Sequence, residues 1–391
     1  MITRLITDRI NRYFQDDFRI IILIGQRRVG KTVELKRHLD EPHLYFDFED
    51  TDHRELFRKP TIAQLQNILG TEPKILLLDE IQYVDQIGST LKLIFDHFPH
   101  IRVLCSGSAS FLMLQRLGDS ALGRKVILEM YPLCIREITG LTDQPFAFGA
   151  FDASIHRSEI TSTIEPLLTF GALPEVWTQE DQQYKREILD EYVNSLLFKD
   201  VFEIEGIKHP QKIRKLTQLL ALQVGSLVNP NELAQQLEMS RNTVINYIDL
   251  LQKFKLISIV TAFSNNPRKE LSKPFKVYFT DLGILNTLAR DFRPLSARSS
   301  QSLGGLFENL VHNLLQANFD HHGTSQQLYF WRNTNGYEVD FVITSTTSDQ
   351  IIPVEVKFSH PVLLSKAFQN GYADRIESYH CITRDTVWKY I

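Results

Sequence analysis

The segment Gly25-Gln26-Arg27-Arg28-Val29-Gly30-Lys31-Thr32 satisfies G-x-x-x-x-G-K-[ST], after an unbroken apolar run (Ile20–Ile24) and before a helix-forming stretch (Thr32–Leu39). Strand, loop and helix in that order are what phosphate binding requires. The glycines let backbone N–H groups wrap phosphate oxygens, and the helix N-terminus adds partial positive charge. Lys31 reaches the terminal phosphates, Thr32 offers its hydroxyl to Mg²⁺, and Val33 closes the cofactor-binding segment. A plain glycine turn beside a surface lysine is the alternative. A second apolar run, Ile75–Leu78, ends in Asp79-Glu80. Asp79 would hold Mg²⁺ and Glu80 would act as general base on the attacking water, unless both acids simply cap the next helix. A third run, Val103–Cys105, ends in Ser106-Gly107-Ser108. It would bring a hydroxyl near the terminal phosphate, although Ser-Gly-Ser is also an ordinary strand-to-helix turn.

A separate constellation lies near the C-terminus: Glu308, Asp340, Glu355 and Lys357. In Val354-Glu355-Val356-Lys357 the alternation turns Glu355 and Lys357 to one face. Acids at one sheet edge would hold Mg²⁺ or Mn²⁺, while the lysine orients water or stabilises charge on a phosphodiester in hydrolysis. Glu308 falls at the edge of the apolar stripe of its helix, where a carboxylate needs a polar site or partner. His312, one turn on, could approach the same site.

Between these constellations, Asn229–Ala234 opens a helix and Met239-Ser240-Arg241-Asn242-Thr243-Val244 begins another. This is helix-turn-helix patterning, with Ser240 as cap and Arg241, Asn242 and Asn246 facing a groove of DNA. Phe263–Lys276, with Arg268, Lys269, Lys273 and Lys276, would form a basic wing, and Lys208, Lys212, Arg214 and Lys215 add charge nearby. Such modules also serve as protein–protein contacts or rigid joints.

Continuous apolar strands separated by helices predict a parallel α/β sheet covered on both faces through residue 150. The expected organisation is a P-loop domain over 1–150, a helical connector over 151–207, a winged helix over 208–290 and a second α/β domain over 291–391. Asp291–Gly305 reads as a linker. The length of 391 residues suits several domains. A net charge of −4 excludes global polybasic binding, so nucleic-acid contact must come from local patches. Cys105, Cys134 and Cys381 stand far apart, and the N-terminus lacks signal-peptide character. The apolar runs are too short to span a membrane. A cytoplasmic protein is expected.

Taken together, GQRRVGKT, LLLDEIQ, SGSAS, the SALGR segment ending at Arg124, TFGALPEVW, KVYFTDLGIL, LFENLV, YFWR, EVDFVI and PVEVK resemble, in order and over nearly the whole chain, AAA-type prokaryotic ATPases carrying a C-terminal domain of unknown function. Gln26 stands where a proline is common. The resemblance implies ATP binding and hydrolysis, and places Arg124 near a nucleotide, in cis or from a neighbouring subunit of a homo-oligomer. Glu308, Asp340 and Glu355-x-Lys357 further resemble the PD-(D/E)xK nuclease signature, with Val339 in place of its proline. The implied fold is a restriction-endonuclease-like α/β domain. The implied function is a Mg²⁺-dependent ATPase coupling nucleotide state to DNA binding or metal-dependent cleavage. A nucleotide-gated switch with an inactive nuclease-like domain, or a DNA-binding transcription regulator, are the alternatives.

Overall fold

The computed structural model describes residues 2–16, 20–108, 123–142, 148, 154–195, 209–264 and 274–391. The chain forms two compact units, Met1–Pro132 with Lys253–Lys255, and Leu133–Gln252 with Leu256–Ile391.

The first unit contains α1 (Ile6–Asp16), β1 (Ile20–Gly25), α2 (Lys31–Lys36), β2 (His43–Asp47), α3 (Thr51–Arg58), α4 (Ile62–Leu69), β3 (Lys74–Asp79), α5 (Ile87–His97), β4 (Ile101–Ser108) and β5 (Lys125–Met130). Its strands form one parallel sheet in the order β2-β3-β4-β1-β5. Ile20–Leu23 and Leu76–Leu78 read as solid apolar runs because helices cover both faces, and these residues are essentially inaccessible. Asp50 caps α3, and Thr61 with Gln64 forms a capping box on α4. The topology places β4 between the strand that feeds the glycine loop and the strand that ends in Asp79, so the residues at their C-terminal ends share one sheet edge.

The second unit begins with α6 (Arg157–Phe170) and α7 (Gln182–Ser195). Then follow α8 (Pro210–Leu222), β6 (Leu227–Val228), α9 (Pro230–Leu237), α10 (Arg241–Lys253), β7 (Ile257–Thr261) and β8 (Phe275–Phe279), with an antiparallel sheet β6-β8-β7. After α11 (Leu282–Ala289) and the long α12 (Ser300–His322) come β9 (Gln326–Arg332), β10 (Glu338–Ser345), β11 (Ser348–Val356), α13 (Lys366–Tyr372) and β12 (His380–Ile382), with sheet order β12-β11-β10-β9.

Residues expected as separate domains on either side of 290 are stitched into this one unit. Asn309 of α12 accepts from the Phe279 N–H at 2.8 Å and donates to its carbonyl at 2.7 Å, completing the edge of β8. Phe263, just past β7, donates its N–H to the Phe330 carbonyl of β9 and packs with Trp331, Val339, Val342 and Phe368. Asp291–Gly305 is therefore not a solvated linker. Arg298 is 8% exposed and donates to the carbonyls of Asp291 and Arg293 and to Asn286. Arg293 and then Arg298 hold the Asp291 carboxyl down at about 2, and Ser299 caps α12.

Gly171, in TFGALPEVW, and Asp281, in KVYFTDLGIL, meet across this unit. The Asp281 carboxylate accepts from Ala172 N at 2.6 Å and from Ile284 N at 3.0 Å, capping α11. Any Cβ on Gly171 would lie 2.2 Å from Asp281 Oδ1.

Candidate nucleotide site and C-terminal carboxylate cluster

At the C-terminal edge of the parallel sheet, β1 passes into the glycine loop. Gly25 tolerates no side chain, because a Cβ there would lie 2.4 Å from the Met130 carbonyl oxygen. Gly30 and Arg28 adopt left-handed backbone (φ 98° and 61°), turning the loop back on itself. Lys31 curls under it, donating to the carbonyls of Gly25 at 3.0 Å and Gln26 at 2.9 Å. Arg4, which precedes α1, donates to the Val29 carbonyl at 2.7 Å and the Tyr131 carbonyl at 2.6 Å, bracing the loop from outside. Thr32 lies in the first turn of α2, half-buried, and Val33 faces outward.

Asp79 ends β3 at 2% exposure. Ser106 donates to its Oδ1, and Tyr45 of β2 donates to its Oδ2 at 3.0 Å. Among the described residues no ammonium or guanidinium pairs with it. Glu80 follows in left-handed backbone (φ 55°), a costly conformation that concentrates at functional sites. Its N–H donates to Ser106 Oγ at 3.2 Å and its carboxylate accepts from Gln82 Nε2. The Ser106 hydroxyl, expected at the terminal phosphate, is thus committed to the Asp79 carboxylate and the Glu80 N–H. Ser108 ends β4 beside Gly25 in the register, and the rest of SGSAS lies outside the described residues. Sequence reading missed Tyr45, which carries no motif. Its role follows from the pairing of β2 with β3.

Arg124 lies elsewhere. Its carbonyl accepts from Ile20 N, at the start of β1, so it occupies the edge opposite the loop. At about 3.3 Å per residue the length of β1 separates the two by about 17 Å. Arg124 pairs with Asp96 of α5 at 2.8 Å. A role on its own chain's nucleotide does not agree with this position.

In the second unit, Phe341 of β10 pairs with Val354 of β11, bringing Asp340 and Glu355 side by side. The β9–β10 register shifts between Val339 and Val342, a bulge that re-aims Asp340. Lys357 Nζ bridges Asp340 Oδ2 at 2.7 Å and Glu355 Oε2 at 2.9 Å, and Val356 N donates to Asp340 at 2.8 Å. Burial, then Asp340, pushes the Glu355 carboxyl up to about 7. Burial opposes charge on Lys357, but Asp340 and Glu355 outweigh it and hold its pKa above the ordinary value.

Glu308, expected as a metal ligand beside these acids, has other partners. Its Oε1 accepts from Lys276 Nζ at 2.8 Å and from the Tyr278 hydroxyl at 2.5 Å. Burial pushes its carboxyl up to about 7 against the pull of Lys276. Among the described residues no group of three or more His, Cys, Asp or Glu side chains is arranged to hold a metal ion. Lys276, expected on a basic wing, is 1% exposed. Its neighbours Arg268, Lys269 and Lys273, like Lys208, lie outside the described residues. His312 stacks on Tyr278 at 4.6 Å, and burial pushes its pKa down to about 4. A cavity of ≈ 930 Å³ opens beside the cluster, lined by Glu308, Lys357, His360, Arg290 and Arg293. On α10, Ser240 Oγ accepts from Thr243 N, and Arg241, Asn242 and Asn246 are exposed.

Residues 17–139 match the AAA domain family. The N-terminal unit is a P-loop ATPase-type domain. Residues 161–295 and 303–376 match two domains of unknown function, DUF8612 and DUF4143. The chain is similar to an uncharacterized protein of Methanocaldococcus jannaschii, MJ1544, with 26% identity over 91% of this chain and 79% of that one. It is also similar to an uncharacterized protein of Haemophilus influenzae, with 24% identity over 89% and 84%. Among solved structures it is similar to the Walker-type ATPase PABY2304 of Pyrococcus abyssi, with 16% identity, a TM-score of 0.45, and coverage of 72% of this chain and 94% of that one. No helix among the described residues is long and apolar enough to cross a membrane.

Proposed function

We propose that this chain is a Mg²⁺-dependent ATPase whose nucleotide state controls DNA binding by the second unit. Asp79 carries the reading: a carboxylate 2% exposed, oriented by two hydroxyls and lacking a cationic partner among the described residues. A buried carboxylate is costly unless hydrogen bonds or a cation compensate it, and this one shares a sheet edge with a loop built for phosphate. Thr32 and Asp79 would hold Mg²⁺, which when bound offsets charge on the β- and γ-phosphate oxygens. Lys31 exchanges its two carbonyl acceptors for phosphate oxygens. Glu80 accepts the proton of the attacking water, and Ser106 keeps the two acids in register.

DNA binding is supported by the exposed Arg241, Asn242 and Asn246 at the start of α10, and by the cavity whose wall carries Arg290, Arg293 and Lys357. The partners of Glu308 favour binding without cutting. Two assays test the proposal: ATP hydrolysis, and retention of labelled duplex with and without ATP. Lys31→Ala should abolish turnover and make DNA retention indifferent to ATP, and Glu80→Gln should bind ATP without hydrolysing it. Unchanged hydrolysis by Lys31→Ala would sink the nucleotide assignment. DNA retention that ignores ATP in the wild type would sink the coupling.

A further inference from the structure

Lys276 and Tyr278 stand two apart on β8 and address the same carboxylate, Glu308 of α12. The Lys276 ammonium also lies 2.6 Å from Glu338 Oε1, at the start of β10, and 5.6 Å from the centre of the Phe330 ring. Burial opposes its charge, but Glu308, then Glu338 and Asp340, outweigh burial and hold its pKa above the ordinary value. An ammonium has three donors and no acceptor, so this one is a fixed cation among acids. Nothing in the ATPase chemistry uses it.

We infer that the Lys276 ammonium is a tethered cation standing where the nuclease pattern assigns a divalent metal, so that the C-terminal cluster takes up no Mg²⁺ or Mn²⁺. The inference rests on reading Glu308, Asp340, Glu355 and Lys357 as a nuclease-like constellation. Charge supports it. The carboxylates of Glu308, Glu338, Asp340 and Glu355 face Lys276 and Lys357, with Arg332 at 3.2 Å from Glu338 on the rim. A divalent ion would arrive in a cluster already close to neutral and would have to expel an ammonium anchored through a sheet strand. Geometry supports it as well, because Oε1 of Glu308 is already taken by two hydrogen bonds, from Lys276 and Tyr278. The residue that resembles part of a DNA-binding wing in sequence thereby becomes the reason the cluster grips without metal chemistry.

Mn²⁺ binding to the full chain without nucleotide, followed by the electron paramagnetic resonance of free Mn²⁺, tests this. The wild type should show no Mn²⁺ binding that Glu355→Gln removes. Lys276→Met should gain one bound Mn²⁺ per chain, and adding Glu355→Gln should remove it. Saturable binding by the wild type that Glu355→Gln abolishes overturns the inference, as does a folded Lys276→Met that gains none. Because Lys276→Met strands two carboxylates, Lys276→Met/Glu338→Gln is read alongside it with circular dichroism as the folding check. The wild-type arm decides even where neither variant folds. With no nucleotide present, failure here is distinct from failure of the ATPase reading.

Discussion

The Tyr45 hydroxyl donates to Asp79 Oδ2 at 3.0 Å across neighbouring parallel strands, while Ser106 takes the other oxygen from the strand on the opposite side. The acid that would hold Mg²⁺ is thus oriented from both flanks. Burial, then Asp79, raises the Tyr45 pKa, so the phenol remains a donor throughout the physiological range. Removing such a hydrogen bond costs about 1 kcal/mol, or about fivefold in a rate. Tyr45→Phe should therefore lower kcat for ATP by about fivefold and raise the Mg²⁺ concentration needed for half-maximal turnover. A Mg²⁺ titration of turnover identical to wild type would remove Tyr45 from the site.

Gly171→Ala should be among the most damaging single-methyl changes in the second unit. The added Cβ would lie 2.2 Å from Asp281 Oδ1, and the backbone there is left-handed at φ 73°. A cost above about 3 kcal/mol is expected in urea unfolding. Gly304→Ala is the control: it lies inside α12 and its Cβ would meet nothing within 4 Å. It should be neutral or stabilising by up to about 1 kcal/mol.

Asp281 makes stability depend on pH. Burial pushes its carboxyl up to about 6, against four backbone N–H groups that pull it down from Ala172, Ile284, Gly283 and Leu173. Between an unfolded value of 3.8 and about 6, the unfolded chain has lost the proton that the native one keeps. The native state binds more protons, so stability falls as pH rises through that window, by about 3 kcal/mol. Measured against Asp281→Asn, the wild type should lose ground from pH 4 to 6 and run parallel above it. A constant difference across that range would refute the assignment.

Arg124→Ala should leave ATP affinity within about twofold of wild type, because the residue sits at the far edge of its own sheet. Its pair with Asp96 is about a third exposed on each side, so solvent screens it and thermal unfolding should hardly change. A lost ATPase rate, restored by mixing with Lys31→Ala chains that keep Arg124, would assign it to a neighbouring copy. A tenfold loss of ATP affinity in the variant would contradict the observed placement.

Much of the first unit was legible because its signals are local. An apolar run long enough for one strand, a glycine loop and a helix start lie next to one another, so the positions of Gly25–Thr32 and Asp79 at strand ends could be read from neighbours alone. Asp340, Glu355 and Lys357 were legible for a similar reason: antiparallel pairing brings β10 and β11 edge to edge. Tertiary structure decided what depends on partners distant in the chain. Tyr45 meets Asp79 because β2 pairs with β3, and Arg124 lies away from the glycine loop because it precedes β5 instead of following it. Lys276 reads as a surface cation in any window of sequence, since the acids that bury it, Glu308 and Glu338, lie 32 and 62 residues further on. Side-chain charge sets what a lysine can do, but burial and the company of other charges decide what it does, and those are fixed by packing between elements.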